Sequence, residues 1–416
     1  MNTLRQKIEQ EIRGRGPIPF SRYMELCLYA SELGYYSRNA QQFGKGGDFY
    51  TSSDVHAVFG RLMARQFQEM WRVLGSPEEL SLIELGPGRG LFAQDVLDWS
   101  ERKFPDFFRA LQYVLVERSP ALRQRIELTL AHHIKAGRAE LSIPDSLSAQ
   151  AEGPWVPEGS PVPRGFWVAQ RFSAANSSQP SPRALAPEAP TIVFANEFFD
   201  ALPCEVLSPE GALRIDARDG RFVETWAPSS PEELEFLDRY SVHPEPGERV
   251  EVPLIAQQFM ERIADSLRGG FIIAIDYGYT REEQLAGRHR GTVKALRQHS
   301  VSASPYDAPG EQDITADVNF TALAAITERY GMHTQKLRTQ SQFLMGIGEA
   351  NQFADAFEEC RLPQERAKVA LQLKHLVTPA GMGESFHVLV ASKGVEREKV
   401  EALAGLSFGY KQATSR

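Results

Sequence analysis

The sequence predicts an α/β fold built on a largely parallel, doubly wound sheet. Three observations carry that prediction. Leu82–Leu85, Tyr113–Val116, Thr191–Ala195 and Phe271–Ile275 are runs of strand length, and Phe271–Ile275 is apolar throughout, as in a strand buried on both faces. Helical patterns alternate with the early strands, in the order of βαβ units. The strand ends carry Glu84, Glu117, Asn196-Glu197 and Asp276. A doubly wound sheet gathers such ends on one edge, where ligands bind.

The elements follow in order. Leu4, Ile8 and Ile12 mark a first helix, which Gly16-Pro17-Ile18-Pro19 breaks. Ser21 is placed to cap a second helix carrying Tyr23, Met24, Leu26, Cys27 and Leu28. Gly34-Tyr35-Tyr36 and the Gly- and aromatic-rich stretch 43–52 read as either a lid or a flexible loop. A helix from Asp54 to Leu74, capped by Ser53 and closed by Gly75, repeats apolar residues at three- and four-residue steps, which is core packing. The first strand then leads through a glycine turn into a helix reaching Arg102. Ser119 is placed to cap a helix from Pro120 to His132, with proline at its first position. A short strand lies near Arg138–Ile143.

Residues 151–190 hold eight prolines among many Ser and Ala, and read as an extended insertion. Beyond the Thr191–Ala195 strand, Glu205–Leu207, Leu213–Ala217 and Phe222–Trp226 read as short antiparallel strands. Pro231–Tyr240 and Ile255–Leu267 read as helices, and Glu248–Val252 as a strand. The final hundred residues place a helix at Phe320–Tyr330 and a strand at Phe386–Ala391. The expected division is a helical or lid region at 1–75, a core at 76–203 and 268–416 that carries the insertion, and an added α+β lobe at 204–267.

Composition bounds the function. A chain of 416 residues buries a large core and exceeds one small lobe. Its 46 basic against 54 acidic residues give a net charge of −8, which argues against a broad nucleic-acid partner. Cys27, Cys204 and Cys360 are far apart, form no disulfide framework and match a reducing compartment. No run of about 18 apolar residues predicts a membrane span. The N-terminus has neither a hydrophobic signal core nor the acid-poor character of a mitochondrial presequence, because Glu9 and Glu11 stand in its first turns. The expected location is cytoplasmic. No histidine or cysteine grouping has metal-ligand spacing, so no metal is expected.

The chemistry gathers at the strand ends. Glu84-Leu85-Gly86-Pro87-Gly88-Arg89-Gly90 is a strand end followed by glycine at every second position. Such a turn lets a nucleotide-like ligand approach the main chain. The spacing is tighter than the G-x-G-x-x-G loop that suits a pyrophosphate. S-adenosylmethionine (SAM), with an adenosine, a sulfonium and an amino-acid tail but no phosphate, suits it better. Gly86, Gly88 and Gly90 are thus expected to hold the cofactor. Glu84 either orients the loop or binds the ligand's ammonium. Glu117, 27 residues after Gly90, is either the acid that accepts from both ribose hydroxyls or a surface glutamate at a loop start.

Asn196 to Pro203 is the expected acceptor element. Methyl transfer is an in-line displacement that depends on positioning. If the acceptor is a guanidinium, it is cationic, and carboxylates are the groups to clamp it through charge-assisted hydrogen bonds. Glu197, Asp200 and Asp276 are the candidates for that catalytic role. Asn196 is placed either with the cofactor or as a cap on a helical turn over Glu197–Leu202. His299 is a lesser candidate for a substrate contact.

These segments, with Gly47-Asp48-Phe49-Tyr50-Thr51-Ser52, Asp276-Tyr277-Gly278, the run from Pro309 to Phe320 and Gly381-Met382-Gly383-Glu384-Ser385-Phe386, resemble the MidA family of SAM-dependent methyltransferases. The Glu197-Phe198-Phe199-Asp200-Ala201-Leu202-Pro203 element is the most specific of them. The resemblance implies a Rossmann-like class I SAM-dependent methyltransferase core with an N-terminal helical segment and an added α+β lobe. It also implies a protein arginine as acceptor, on a partner such as a respiratory-complex subunit. The insertion at 151–190 departs from the family pattern. Two alternatives stay open: a small-molecule methyltransferase, and a non-catalytic SAM-binding assembly factor.

Overall fold

The computed structural model describes residues 3–37, 57–142, 189–297, 300–302 and 304–408. The stretch 43–52, the cap at Ser53, His299 and all but the last two residues of the 151–190 insertion lie outside them.

The central sheet contains β1 (Leu80–Leu85), β2 (Leu111–Val116), β3 (Ala139–Ser142), β4 (Thr191–Asn196), β5 (Gly270–Tyr279) and β6 (Phe386–Lys393). Their spatial order is β6-β5-β4-β1-β2-β3. β5, β4, β1, β2 and β3 are parallel, while β6 runs antiparallel against β5 from Gly270↔Lys393 to Tyr277↔Phe386. The order reverses direction from β1, which places a crevice at the carboxyl ends of β1 and β4.

Side-chain alternation along β5 explains the two layers. Phe271, Ile273 and Ile275 pack on one face with Phe67, Phe92, Val96 and Phe343. Ile272 and Ala274 pack on the other with Phe259, Met260, Leu323 and Ile326. The strand is apolar throughout because helices cover both faces. Phe92, one residue into the helix after the glycine turn, stacks on Phe194 of β4 with ring centroids 4.7 Å apart. That contact seats the start of this helix over the sheet.

A second sheet is antiparallel. Gly211–Arg218 is flanked by Ile18–Pro19 and Glu205–Ser208, with Val250–Val252 beyond, and Arg221–Ala227 also pairs with it. Helices Leu4–Arg15 and Phe20–Tyr29 bury Leu4, Ile8, Tyr23, Met24 and Leu28 against Val206, Ile215, Phe222 and Ile314 of this lobe.

The packing therefore crosses the expected boundaries. Residues 4–37 belong with the lobe, through the Ile18–Pro19 edge strand, whereas helix Ala57–Val73 packs on the central sheet. Helix Leu254–Ser266, expected in the lobe, covers the sheet. Ala295, Ile314 and Ala316, expected in the core, pack with the lobe. Contiguous numbering hid these exchanges because the chain passes between the lobes more than once.

Two local expectations also change. Ser21 lies inside helix Phe20–Tyr29 and hydrogen-bonds Glu205 instead of capping. The helix expected over Pro120 to His132 breaks at Leu130, giving Pro120–Thr129 and Ala131–Lys135.

Candidate functional site

β1 ends at Leu85 and the chain turns through Gly86, Gly88 and Gly90, all left-handed with φ of 64°, 56° and 76°. The turn is pinned by Gly86 N–H donating to Val116 O at 3.1 Å and Gly90 N–H to Pro87 O at 2.9 Å. The glycines differ in what surrounds them. A Cβ on Gly86 would approach the Phe198 ring to 3.0 Å, and one on Gly90 would meet Ile126 at 3.3 Å. A Cβ on Gly88 would meet no atom of the described residues within 4 Å. Gly86 and Gly90 allow close packing, while the Gly88 backbone faces open space that a ligand can enter.

Glu117 follows β2 beside that opening. Its carboxylate accepts from Ser119 N–H at 2.7 Å, and the backbone N–H groups of Arg118 and Gly88 also hold it. Burial pushes the carboxyl up to about 7 against these hydrogen bonds. Glu117 is buried, so the alternative of a surface glutamate does not hold.

Glu84 is also buried and accepts the Tyr113 hydroxyl at 2.7 Å. Burial pushes its carboxyl up to about 8 and the Tyr113 hydroxyl well above its ordinary value. The partner observed for Glu84 is a tyrosine of the neighbouring strand.

At the end of β4, Asn196 Nδ2 donates to Glu197 Oε1 at 3.1 Å. Glu197 has φ 51°, an uncommon conformation for a non-glycine residue, and its N–H donates to Ile275 O at 2.9 Å. No helix forms over Glu197–Leu202. The N–H groups of Phe198, Phe199 and Asp200 instead converge on Asp276 Oδ2 at 3.1, 2.9 and 3.3 Å, and Tyr277 N–H donates to Oδ1 at 3.0 Å. This is a backbone nest around a carboxylate. It corrects the expectation for Asp276: the buried carboxylate is committed to holding the loop, not turned to an acceptor.

Asp200 lies 4% exposed. Among the described residues, its Oδ1 and the Asn196 Oδ1 are buried acceptor atoms without a hydrogen-bond partner. Burial, then the charges of Asp276, Glu197 and Asp313, push the Asp200 carboxyl well above the usual carboxylate range. Both atoms are buried at the end of β4, beside the carboxylates of Glu197 and Asp276.

Residues with no role in the sequence reading complete the surroundings. Tyr29 donates its hydroxyl to Ala201 O at 2.8 Å, and Tyr36 donates to Asp313 Oδ1 at 2.8 Å. The two rings are 5.5 Å apart, and the Arg118 guanidinium lies 5.4 Å from the Tyr29 ring. The N-terminal segment thus bridges the loop after β2 and the loop after β4. Tyr36 and Asp313 stand inside family-like segments, which was the available signal; their pairing needs contacts between residues 277 apart.

Away from the strand ends, Glu101, His132 and His133 bring one ligand atom each within 4.8 Å of one another, a group the sequence spacing did not suggest. Glu101 and His132 are exposed, and His133 Nε2 is already 2.7 Å from Asp98.

The comparisons with known proteins bear on this edge of the sheet. Residues 62–338 match a family model described as "Putative S-adenosyl-L-methionine-dependent methyltransferase". The chain belongs to this family. It is the MidA-like family that the sequence motifs resemble. The mitochondrial protein arginine methyltransferase NDUFAF7 homolog of Drosophila melanogaster is 28% identical over 94% of this chain and 85% of its own length. The mitochondrial protein arginine methyltransferase NDUFAF7 of Homo sapiens is 27% identical over 91% of this chain and 80% of its own. A crystal structure from Burkholderia thailandensis, bound to S-adenosyl-homocysteine, superposes with a TM-score of 0.76 at 25% identity, covering 97% of this chain and 94% of that one.

The protein is a SAM-dependent methyltransferase with a Rossmann-like core and an added lobe. The open backbone at Gly88 beside the buried Glu117 carboxylate fits a ribose-bearing cofactor such as SAM. SAM supplies an activated methyl group on a sulfonium. The expected cytoplasmic location is overturned, because the curated relatives are named as mitochondrial. Among the described residues, no helix is long and apolar enough to cross a membrane.

Proposed function

We propose that the protein transfers methyl groups from SAM to a guanidinium nitrogen of an arginine on a partner protein. The observation that carries this reading is the pair of partnerless buried acceptors, Asn196 Oδ1 and Asp200 Oδ1, beside Glu197. A guanidinium presents five N–H donors in a planar fork and keeps its charge, so it answers both the missing donors and the excess negative charge. The names of the relatives, protein arginine methyltransferases, support the same acceptor.

In this reading Gly86, Gly88 and Gly90 form the cofactor loop, and Glu117 accepts from the ribose hydroxyls. Glu84 acts beneath the loop through Tyr113. Asn196, at the end of β4, stands between donor and acceptor. Glu197, only partly buried, clamps the guanidinium, with Asp200 behind it. Asp276 positions all three through the backbone. The family resemblance adds a respiratory-complex subunit as the class of partner.

The test is labelled SAM with whole-cell protein extract, followed by acid hydrolysis and amino-acid analysis. Label in methylarginine is the expected result. Label confined to small molecules, or to another amino acid, contradicts the reading.

A further inference from the structure

The helix that follows the glycine turn, Leu91–Lys103, begins beside Gly90 and lies along the crossover between β2 and β3. Its start is seated on that crossover. A Cβ on Gly90 would meet Ile126 and Leu130 at 3.3 and 3.6 Å, and Gln94 Nε2 donates to Thr129 O at 3.4 Å. At its other end Glu101 comes together with His132 and His133 of helix Ala131–Lys135, one ligand atom of each lying within 4.8 Å of the others.

His133 is 2% exposed. Asp98, three residues before Glu101 on the same helix, stands 2.7 Å from its Nε2. Its Nδ1 is buried and has no hydrogen-bond partner among the described residues. A buried polar nitrogen left bare is uncommon and calls for a physical reason. In the tautomer that donates Nε2–H to Asp98, Nδ1 carries a lone pair and no proton. An imidazole with one nitrogen on a carboxylate and the other bare is the arrangement of a metal-ligating histidine. Glu101 lies in the last turn of its helix, where the backbone carbonyls favour positive charge. The neighbouring cations Arg102 and Lys103 are paired with Glu359 and Glu358.

We propose that Glu101, His132 and His133, the last oriented by Asp98, bind one divalent d-block cation such as zinc. Two imidazoles with one carboxylate suit zinc, cobalt or nickel, whereas magnesium and calcium take oxygen ligands. Zinc bonds nitrogen and oxygen at about 2.0–2.2 Å, so the ligand atoms close by roughly 1 Å on binding. Glu101 and His132 are exposed and can rotate to do so, while burial fixes His133. Water completes the coordination on the exposed side. The ion ties the last turn of helix Leu91–Lys103 to the crossover that already holds its start. Glu101 stands roughly 16 Å along the helix from Gly90, so the ion acts on stability rather than on the cofactor loop.

Zinc alone, titrated by calorimetry into full-length protein cleared of metal with a chelator, tests the site without any methyl transfer. The expected result is one zinc per chain with a Kd of about 10 µM or tighter, and a melting temperature that rises with zinc concentration. Glu101→Gln and His132→Gln replace exposed side chains, and each is expected to weaken binding at least tenfold. Asp98→Asn, at a side chain 59% exposed, leaves all three ligands in place and should weaken binding by about 10–100-fold. Circular dichroism on the same samples checks that each variant is folded. A Kd weaker than about 10 µM, or an affinity unchanged in any of the three folded variants, overturns the proposal. Loss confined to His132→Gln is the mark of an adventitious ion only, held by a surface histidine.

Discussion

Asp276 Oδ2 accepts the Phe199 backbone N–H at 2.9 Å, and through that contact β5 holds the loop leaving β4. The flanking N–H groups of Phe198 and Asp200 converge on the same oxygen. Asp276→Ala leaves these buried donors without an acceptor. Hydrogen bonds to charged groups contribute about 1.5–3 kcal/mol each, and a loss of about 3 kcal/mol in urea unfolding is expected. Asp276→Asn retains an acceptor oxygen and should recover part of it. S-adenosyl-homocysteine affinity should change little in Asp276→Asn while kcat falls; a selective loss of cofactor binding would place Asp276 elsewhere.

Gly88 separates cofactor binding from folding. Its added Cβ meets no atom of the described residues within 4 Å, so the main structural cost of Gly88→Val among them is the left-handed backbone at φ 56°. Strain of that kind costs about 1–3 kcal/mol. The variant should fold, yet lose at least about tenfold in S-adenosyl-homocysteine affinity, roughly 1.4 kcal/mol, by calorimetry. An unchanged Kd would remove the loop from the cofactor site.

Glu117 predicts a pH-dependent cofactor affinity. In the proposed site the ribose hydroxyls donate to the ionised carboxylate, whose ligand-free pKa burial pushes up to about 7. Affinity should be greatest above that value and weaken as the pH falls through it, with proton release on binding. Calorimetry in buffers of different ionisation enthalpy measures that release. Glu117→Gln should bind more weakly and with a flatter pH response.

Glu84 predicts a stability slope of the opposite sense. Its folded pKa, pushed up to about 8, lies above the ordinary value of 4.5. Below the ordinary value both folded and unfolded forms are protonated, and burial carries no ionic penalty. As the pH rises through the window between the two values, the unfolded carboxyl ionises more readily and the fold loses stability, levelling off above the higher value. Glu84→Gln should flatten that part of the Tm profile. A profile identical to wild type would contradict the buried, protonated Glu84–Tyr113 pair.

The layered core was legible because its signals are local. Apolar runs marked the strands, Phe271–Ile275 above all, and the glycine turn announced the first crossover. Pro231–Tyr240 was bounded correctly because Ser230 and Glu233 form a capping box at its start. Features depending on distant partners were less legible. Nothing around Asp276 says that its oxygen will collect the N–H groups of residues 198–200. Ser21 has the residue type of a cap, but Glu205 in another part of the chain claims its hydroxyl. Ile18-Pro19 reads as a helix breaker and also serves as a two-residue edge strand of the lobe. Edge strands accept proline because one side of their ladder needs no donor.

The most direct measurement is methylarginine formation on protein by wild type and Glu197→Gln, with S-adenosyl-homocysteine affinity measured on the same samples. The expected result is methylarginine from wild type, at least about a hundredfold less from the variant, in the range of a lost general acid–base or clamping group, and cofactor affinity retained. Equal methylarginine yields, or none from wild type that binds the cofactor, would contradict a guanidinium acceptor at the end of β4.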